Sequence, residues 1–320
     1  MDYRKLGQTG IAVSRIALGC GNFGGIGSAP AFFGQGESRE QAFALMDAAR
    51  ALGITTVDTA DAYGGGRSER WIGEWLRERG ADGVVVTTKV FHSVEGDPAD
   101  RGLAPERIRR QLAGSLTRLG LDCVDLYLTH EPDPATPLEQ TLAVLAELRN
   151  AGKVGAIGLS NVDGEELEAA LRLTRIDCVQ NPFSLLDRDA EVEVLPLCER
   201  HGVAFTAFSP LAGGWLTGKY RRGEPPPAGS RMATRPEGHA HLQIGATFNA
   251  LDSFAAAART RGVDPATLAF AWLLGDPRVT ALIVGPRRPE QLEPARAALA
   301  VELSAADRDE LASYFVASTT

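Results

Sequence analysis

From residue 38 onward the chain alternates between two patterns. A stretch with apolar residues at three-and-four spacing is followed, often after a glycine, by a short β-branched run that stops at a polar residue. The short runs read as strands at 15–19 (RIALG), 54–59 (ITTVDT), 84–89 (VVVTTK), 123–130 (CVDLYLTH), 154–160 (VGAIGLS), 176–181 (IDCVQN), 203–209 (VAFTAFS) and 280–285 (TALIVG). Between them, REQAFALMDAARALG, PERIRRQLAGSLTRLG, PLEQTLAVLAELRNAG and EVEVLPLCERHG place their apolar residues on one helical face. Ser38 stands where the first of these starts, and Gly53, Gly120 and Gly202 stand where helical stretches stop.

Strands alternating with helices in this number predict an α/β fold closed as a (β/α)8 TIM barrel, because an open doubly wound sheet usually ends near six strands. No boundary interrupts the pattern, so residues 1–320 are expected to form a single domain. Ahead of the first barrel strand, MDYRKLGQTGIAVS reads as an N-terminal β-hairpin placed to plug the bottom of the barrel. Two long segments break the alternation, GNFGGIGSAPAFFGQGES after the first strand and LAGGWLTGKYRRGEPPPAGSRMATRPEGHAHL after the seventh. Both follow strand carboxyl ends, where barrel enzymes build their sites, and read as substrate or cofactor loops.

Chemistry collects at the same ends. Asp58 and Tyr63 follow the second barrel strand, Lys89 closes the third and His130 the fourth. Neighbouring parallel strands bring such residues to one rim. A carbonyl that accepts hydride becomes an alkoxide and needs a proton donor; Tyr63 supplies one, with an unperturbed pKa of about 10. A Lys89 ammonium about 4 Å away, at an effective dielectric near 20, would favour the phenolate by roughly 4 kcal/mol, about three pKa units. Asp58 would keep Lys89 charged while opposing part of that shift, and His130 would polarise the carbonyl. Taken singly, each has a plainer reading: a helix cap for Asp58, packing for Tyr63, a solvated strand end for Lys89, a turn residue for His130. Four such coincidences on one rim favour a site.

Composition narrows the partners. With 44% hydrophobic residues the chain can bury a full core, and its net charge of −8 is spread without a Lys/Arg block, which argues against nucleic acid or an anionic membrane. The amino terminus lacks the apolar stretch of a signal peptide and no run approaches the roughly 18 apolar residues of a membrane span, so a soluble cytoplasmic protein is expected. Cys20, Cys123, Cys178 and Cys198 have neither disulfide nor zinc spacing, so reduced thiols and no metal site are expected. His239 and His241 read as residues of a mobile lid, and Trp71 and Trp75, one helical turn apart, as core. GCGNFG fits a dinucleotide fingerprint, but the Gly- and Pro-rich segment after it cannot open the helix that fingerprint requires. Phe23, Phe32, Phe33, Phe91 and His92 fall in loops on the catalytic side as candidate pocket walls.

VDTADAYGGGRSERWIG, the Lys of TTK, the His of LYLTH and the loop SPLAGGWLTGKY together resemble the aldo-keto reductases, over nearly the whole chain. The resemblance implies a barrel that reduces an aldehyde or ketone, a small-molecule carbonyl substrate, by direct hydride transfer from NADPH, with NADH less favoured and no metal. Tyr63 would be the general acid, supported by Lys89, Asp58 and His130. Ser160, Asn161 and Gln180 would hold the nicotinamide carboxamide, Phe208 would stack on the ring, and Ser209, Leu211, Gly213 and Lys219 would wrap the pyrophosphate. Gly285, Arg287 and Gln291 match the adenosine-phosphate segment. Arg287, with Arg288 beside it, would pair with a 2′-phosphate, the reason for preferring NADPH. The chain departs from the family at Pro294 and Ala295, which replace a Glu-Asn pair that meets adenine. It departs again at Cys20, where Thr is common, and at Trp215, which reads as narrowing the pocket or as core. Some relatives are cofactor-binding regulatory subunits on the same barrel, an alternative that the complete set of four argues against.

Overall fold

The structure is a computed structural model and describes residues 1–315. Strands β1 (Tyr3–Lys5) and β2 (Ala12–Ser14) pair antiparallel as the expected hairpin. Strands β3 (Ile16–Gly19), β4 (Thr56–Asp58), β5 (Val85–Val90), β6 (Val124–Thr129), β7 (Val154–Ser160), β8 (Cys178–Pro182), β9 (Ala204–Phe208) and β10 (Val279–Val284) form a closed parallel barrel in chain order, with β10 returning to pair with β3. Every strand expected from the sequence is present, with ends shifted by a few residues.

The helices are α1 (Arg39–Ala51), α2 (Arg67–Arg79), α3 (Pro105–Leu119), α4 (Leu138–Asn150), α5 (Gly164–Leu173), α6 (Val194–His201), α7 (Arg231–Thr234), α8 (Gly245–Thr260), α9 (Pro265–Leu274), α10 (Glu293–Ala298) and α11 (Ala305–Ser313). Local chemistry sets their ends. A reciprocal capping box between Ser38 and Gln41 opens α1, while α3 and α6 stop at Gly120 and Gly202 in the left-handed region, at φ 68° and 64°. Three consecutive left-handed glycines, Gly64, Gly65 and Gly66, swing the chain from β4 into α2, a path that side-chain-bearing residues resist. In α2, Trp75 is core, whereas Trp71 is only partly buried at its edge.

Two hydrophobic clusters hold the molecule together. The larger packs the barrel's outer face against the helices. The smaller fills the barrel interior with Val85, Leu126, Leu128, Ala156, Cys178, Ala204 and Ala281, joined by Leu6 and Val13 of the hairpin segment. Val85, Cys178 and Ala204 are the first residues of β5, β8 and β9, so the hairpin closes the amino end and leaves the carboxyl rim for chemistry. At that rim the loop after β9 is docked on the loop after β3: an Arg235 guanidinium nitrogen donates to the Ile26 carbonyl at 3.4 Å and the group lies 5.3 Å from the Phe32 ring centre. Among the described residues no helix is long and apolar enough to cross a membrane.

Candidate active site

Asp58 ends β4, Lys89 lies near the end of β5, His130 follows β6 directly, and Tyr63 sits in the turn after β4. The barrel brings all four together. Lys89 is 1% exposed, and its Nζ donates to Asp58 Oδ1 at 2.6 Å and to the Thr59 carbonyl at 2.8 Å. The same ammonium lies 5.2 Å from the Tyr63 ring centre. The Tyr63 hydroxyl is 3.4 Å from His130 Nε2, with the two rings edge to face at 77°. From across the barrel, Gln180 Nε2 donates to the other Asp58 oxygen at 2.8 Å. Asp58 therefore has a donor on each oxygen, and a buried carboxylate requires such partners.

The electrostatics correct one expectation. Burial raises the Tyr63 phenol above its ordinary pKa; Lys89 pulls it down, but Asp58 pushes it up again. The anticipated fall towards neutrality is absent because a phenolate in this site loses hydration and its cationic neighbour is already neutralised. Burial also opposes the Lys89 ammonium, yet Asp58 and Tyr63 outweigh it and leave the group above its usual value. His130 is held well below its ordinary value by burial first, then by Lys89 and His92, so it is neutral at physiological pH. Cys20 is fully buried and its thiol is pushed up, chiefly by burial, which leaves it packing instead of acid–base chemistry.

The residues expected to hold a cofactor lie on the same rim, and the backbone there is distinctive. Among the described residues, the non-glycine residues with left-handed φ are Asn161 (59°), Ser209 (53°) and Ala212 (47°), at the ends of β7 and β9. Each costs about 1–3 kcal/mol and persists only where the surroundings enforce it, a pattern typical of ligand-binding sites. Asn161 Nδ2 donates to the His130 carbonyl at 2.8 Å and to Ser160 Oγ at 3.2 Å, tying the β7 end to the β6 end. Gln180 turns its nitrogen to Asp58, leaving its oxygen as the end able to accept from a carboxamide. Phe208 is half-buried at the β9 end, Leu211 is half-buried, and Ser209 is exposed. Gly213 is left-handed and lies under the His239 ring, and exposed Lys219 reaches over Gly214. Bare glycine backbone, a lysine and a half-buried aromatic suit a phosphate-linked nicotinamide.

Other sequence assignments look different in three dimensions. Gly285 is exposed after β10, but Arg287 is not a free cation: it pairs with Glu37 and the Gly229 carbonyl. Gln291 spends its amide oxygen on the Arg287 backbone N–H at 2.7 Å, closing that turn. Phe23 and Trp215 are each 1% exposed and packed in the core, Trp215 against Tyr220 and Phe248, so neither is an open pocket wall. Phe91 lines a cleft of about 470 Å³ with Arg101 and Glu131. His92 is half-buried, with Nε2 3.1 Å from Glu131 and its ring 4.8 Å from that of His130. Phe33 lines a separate cleft of about 530 Å³ near Arg67 and Arg118, and Tyr63 lines neither cleft. Glu37, Glu131 and Ala212 carried no sequence signal; only the folded loops reveal them.

Comparison with known proteins identifies the family. The aldo/keto reductase family model matches residues 15–314. The NADH-specific methylglyoxal reductase of Escherichia coli (strain K12) is 34% identical over 315 residues, covering 94% of each chain. A probable voltage-gated potassium channel subunit beta from Oryza sativa subsp. japonica is 34% identical, over 91% of this chain and 89% of the relative. Among solved structures, a glycerol dehydrogenase from Gluconobacter oxydans superposes with a TM-score of 0.84 at 28% identity, covering 98% of this chain and 94% of the other. A barrel whose rim gathers a tyrosine, a buried lysine–aspartate pair and a neutral histidine, matched over almost its full length, belongs to the aldo/keto reductase family.

Proposed function

We propose that the chain is a nicotinamide-dependent reductase of an aldehyde or ketone, with Tyr63 as the general acid. The observation that carries this reading is Tyr63 itself, with its ring centre 5.2 Å from the buried Lys89 ammonium and its hydroxyl 3.4 Å from Nε2 of neutral His130. Bound on the β7–β9 side of the rim, a reduced nicotinamide would supply hydride to the carbonyl carbon. Tyr63 donates its proton to the carbonyl oxygen, and Lys89 stabilises the phenolate left behind. Asp58 keeps the Lys89 ammonium charged and Gln180 keeps Asp58 oriented. His130, uncharged, hydrogen-bonds the substrate oxygen without adding a second cation. A raised phenol pKa suits reduction, because the acid carries its proton at neutral pH.

Ser160, Asn161 and Gln180 are the proposed carboxamide contacts, with Phe208 beneath the ring and Ser209, Leu211, Gly213 and Lys219 around the pyrophosphate. Arg287 is the proposed contact for a 2′-phosphate, which is the reason for placing NADPH first. The NADH-specific relative keeps NADH in the comparison. The test mixes the purified protein with NADPH or NADH and a panel including 4-nitrobenzaldehyde and methylglyoxal, and follows the nicotinamide absorbance. Turnover is expected. Cofactor binding without turnover across the panel would instead favour a regulatory subunit, the reading to which the channel-subunit relatives point.

A further inference from the structure

Arg287 is held by a residue that no part of the reading above uses. Its Nε donates to Glu37 Oε1 at 2.9 Å while another guanidinium nitrogen donates to the Gly229 carbonyl at 2.7 Å. The partners differ in setting: the Arg287 side chain is 46% exposed and that of Glu37 only 2%. The second carboxylate oxygen, Glu37 Oε2, is buried with no hydrogen-bond partner. A buried acceptor without a donor is costly, and where one persists it commonly awaits a ligand or water.

The backbone fixes this carboxylate in place. Glu37 bridges to Phe23, its N–H donating to the Asn22 carbonyl at 2.9 Å and its own carbonyl accepting from Gly24 at 3.0 Å. The charges facing it are Arg287, from the loop after β10, and Arg231, from α7, which in turn faces Arg235. One buried carboxylate thus faces two guanidinium ions, Arg287 in direct contact and Arg231 farther off, with Arg235 beside Arg231.

We propose that Glu37 sets the cofactor preference of this site, competing with a 2′-phosphate for Arg287 and offering Oε2 to the 2′-hydroxyl of NADH. A phosphate must displace the carboxylate from Arg287 and bring its own negative charge beside it. A hydroxyl instead supplies the donor that Oε2 lacks. Carboxylates that accept from a ribose 2′-hydroxyl select NAD in other dinucleotide sites. Glu37 therefore narrows the advantage that Arg287 alone would give NADPH. This inference rests on the placement of the 2′-phosphate at Arg287.

Isothermal titration calorimetry of the full-length protein with NADPH and with NADH tests both. Glu37→Gln is expected to raise the NADPH-to-NADH affinity ratio at least tenfold, Arg287→Ala to lower it, and the double variant to lose the gain. An unchanged ratio in Glu37→Gln, with Arg287→Ala still lowering it, overturns the role of Glu37 and leaves the Arg287 placement standing. Equal losses for both cofactors in Arg287→Ala overturn that placement and this inference with it. Should thermal unfolding show Glu37→Gln to be misfolded, Glu37→Asp keeps the charge but shortens its reach. Its ratio is expected to rise at least threefold, and an unchanged ratio overturns the proposal.

Discussion

Gln180 and Asp58, 122 residues apart on opposite sides of the barrel, are joined by a 2.8 Å hydrogen bond in which the Gln180 amide nitrogen donates to Asp58 Oδ2. Lys89 occupies the other carboxylate oxygen at 2.6 Å. The chain from Gln180 through Asp58 to Lys89 positions the ammonium beside Tyr63, so the β8 strand supports a proton donor that hangs from β4.

Replacing Gln180 by Leu removes the donor to Asp58 Oδ2 and leaves a buried oxygen unpaired. Such a loss costs about 1–3 kcal/mol of stability. Urea unfolding should show that loss, and kcat should fall because Asp58 no longer holds Lys89 in one orientation. Wild-type stability in Gln180→Leu would mean that Asp58 is not anchored from across the barrel.

Lys89→Met breaks a buried ion pair from one side. The stranded Asp58 charge makes this expensive, about 3–5 kcal/mol, whereas removing both charges is cheaper. The double variant Asp58→Asn/Lys89→Met should therefore be more stable than Lys89→Met alone, while both lose nearly all turnover. Additive losses in chemical denaturation would contradict a direct coupling between the two residues.

Much of this architecture was legible because its causes are local. A β-branched run ending in Lys89 or His130 is a strand that delivers a polar side chain to a rim, and Ser38 and Gly120 mark helix ends by their own hydrogen bonds and backbone angles. The pairings were not legible. The bond from Gln180 to Asp58 is invisible in the sequence because nothing near Gln180 predicts a partner 122 residues away. The ion pair of Arg287 is equally hidden, because Glu37 lies 250 residues away in a glycine-rich loop. Loop position makes Phe23 a candidate pocket wall and leaves Trp215 open between pocket and core, but both loops fold back and bury these side chains. The acidity of Tyr63 is hidden for a related reason: the pull of Lys89 follows from residue types, whereas the opposing burial exists only once the barrel closes.

Tyr63→Phe removes the proton donor and little else, since the ring and its edge-to-face contact with His130 stay in place. General acid catalysis is worth about 10² to 10⁴ in rate, and kcat should fall by that factor. Affinity for the nicotinamide cofactor, measured by fluorescence titration, should stay within a few fold. Undiminished turnover would remove Tyr63 as the acid.

The pH profile separates a lowered phenol from a raised one. In reduction Tyr63 must carry its proton, so activity is lost as pH rises through its pKa in the folded protein. Burial puts that pKa above the ordinary value, and kcat/KM for an aldehyde should be flat through neutrality and decline only above about pH 10. His130, depressed well below its usual value by burial, stays neutral over the same range and should add no acid limb near pH 6.5. Alcohol oxidation needs the phenolate as base and should instead rise with pH over the same alkaline interval. Both directions can be followed at the nicotinamide band with a substrate that does not itself ionise, such as benzaldehyde and its alcohol. A reduction rate that halves near pH 7 to 8, in a protein still folded there by circular dichroism, would mean that Lys89 outweighs burial and that the phenol is the lowered acid its neighbour alone suggests.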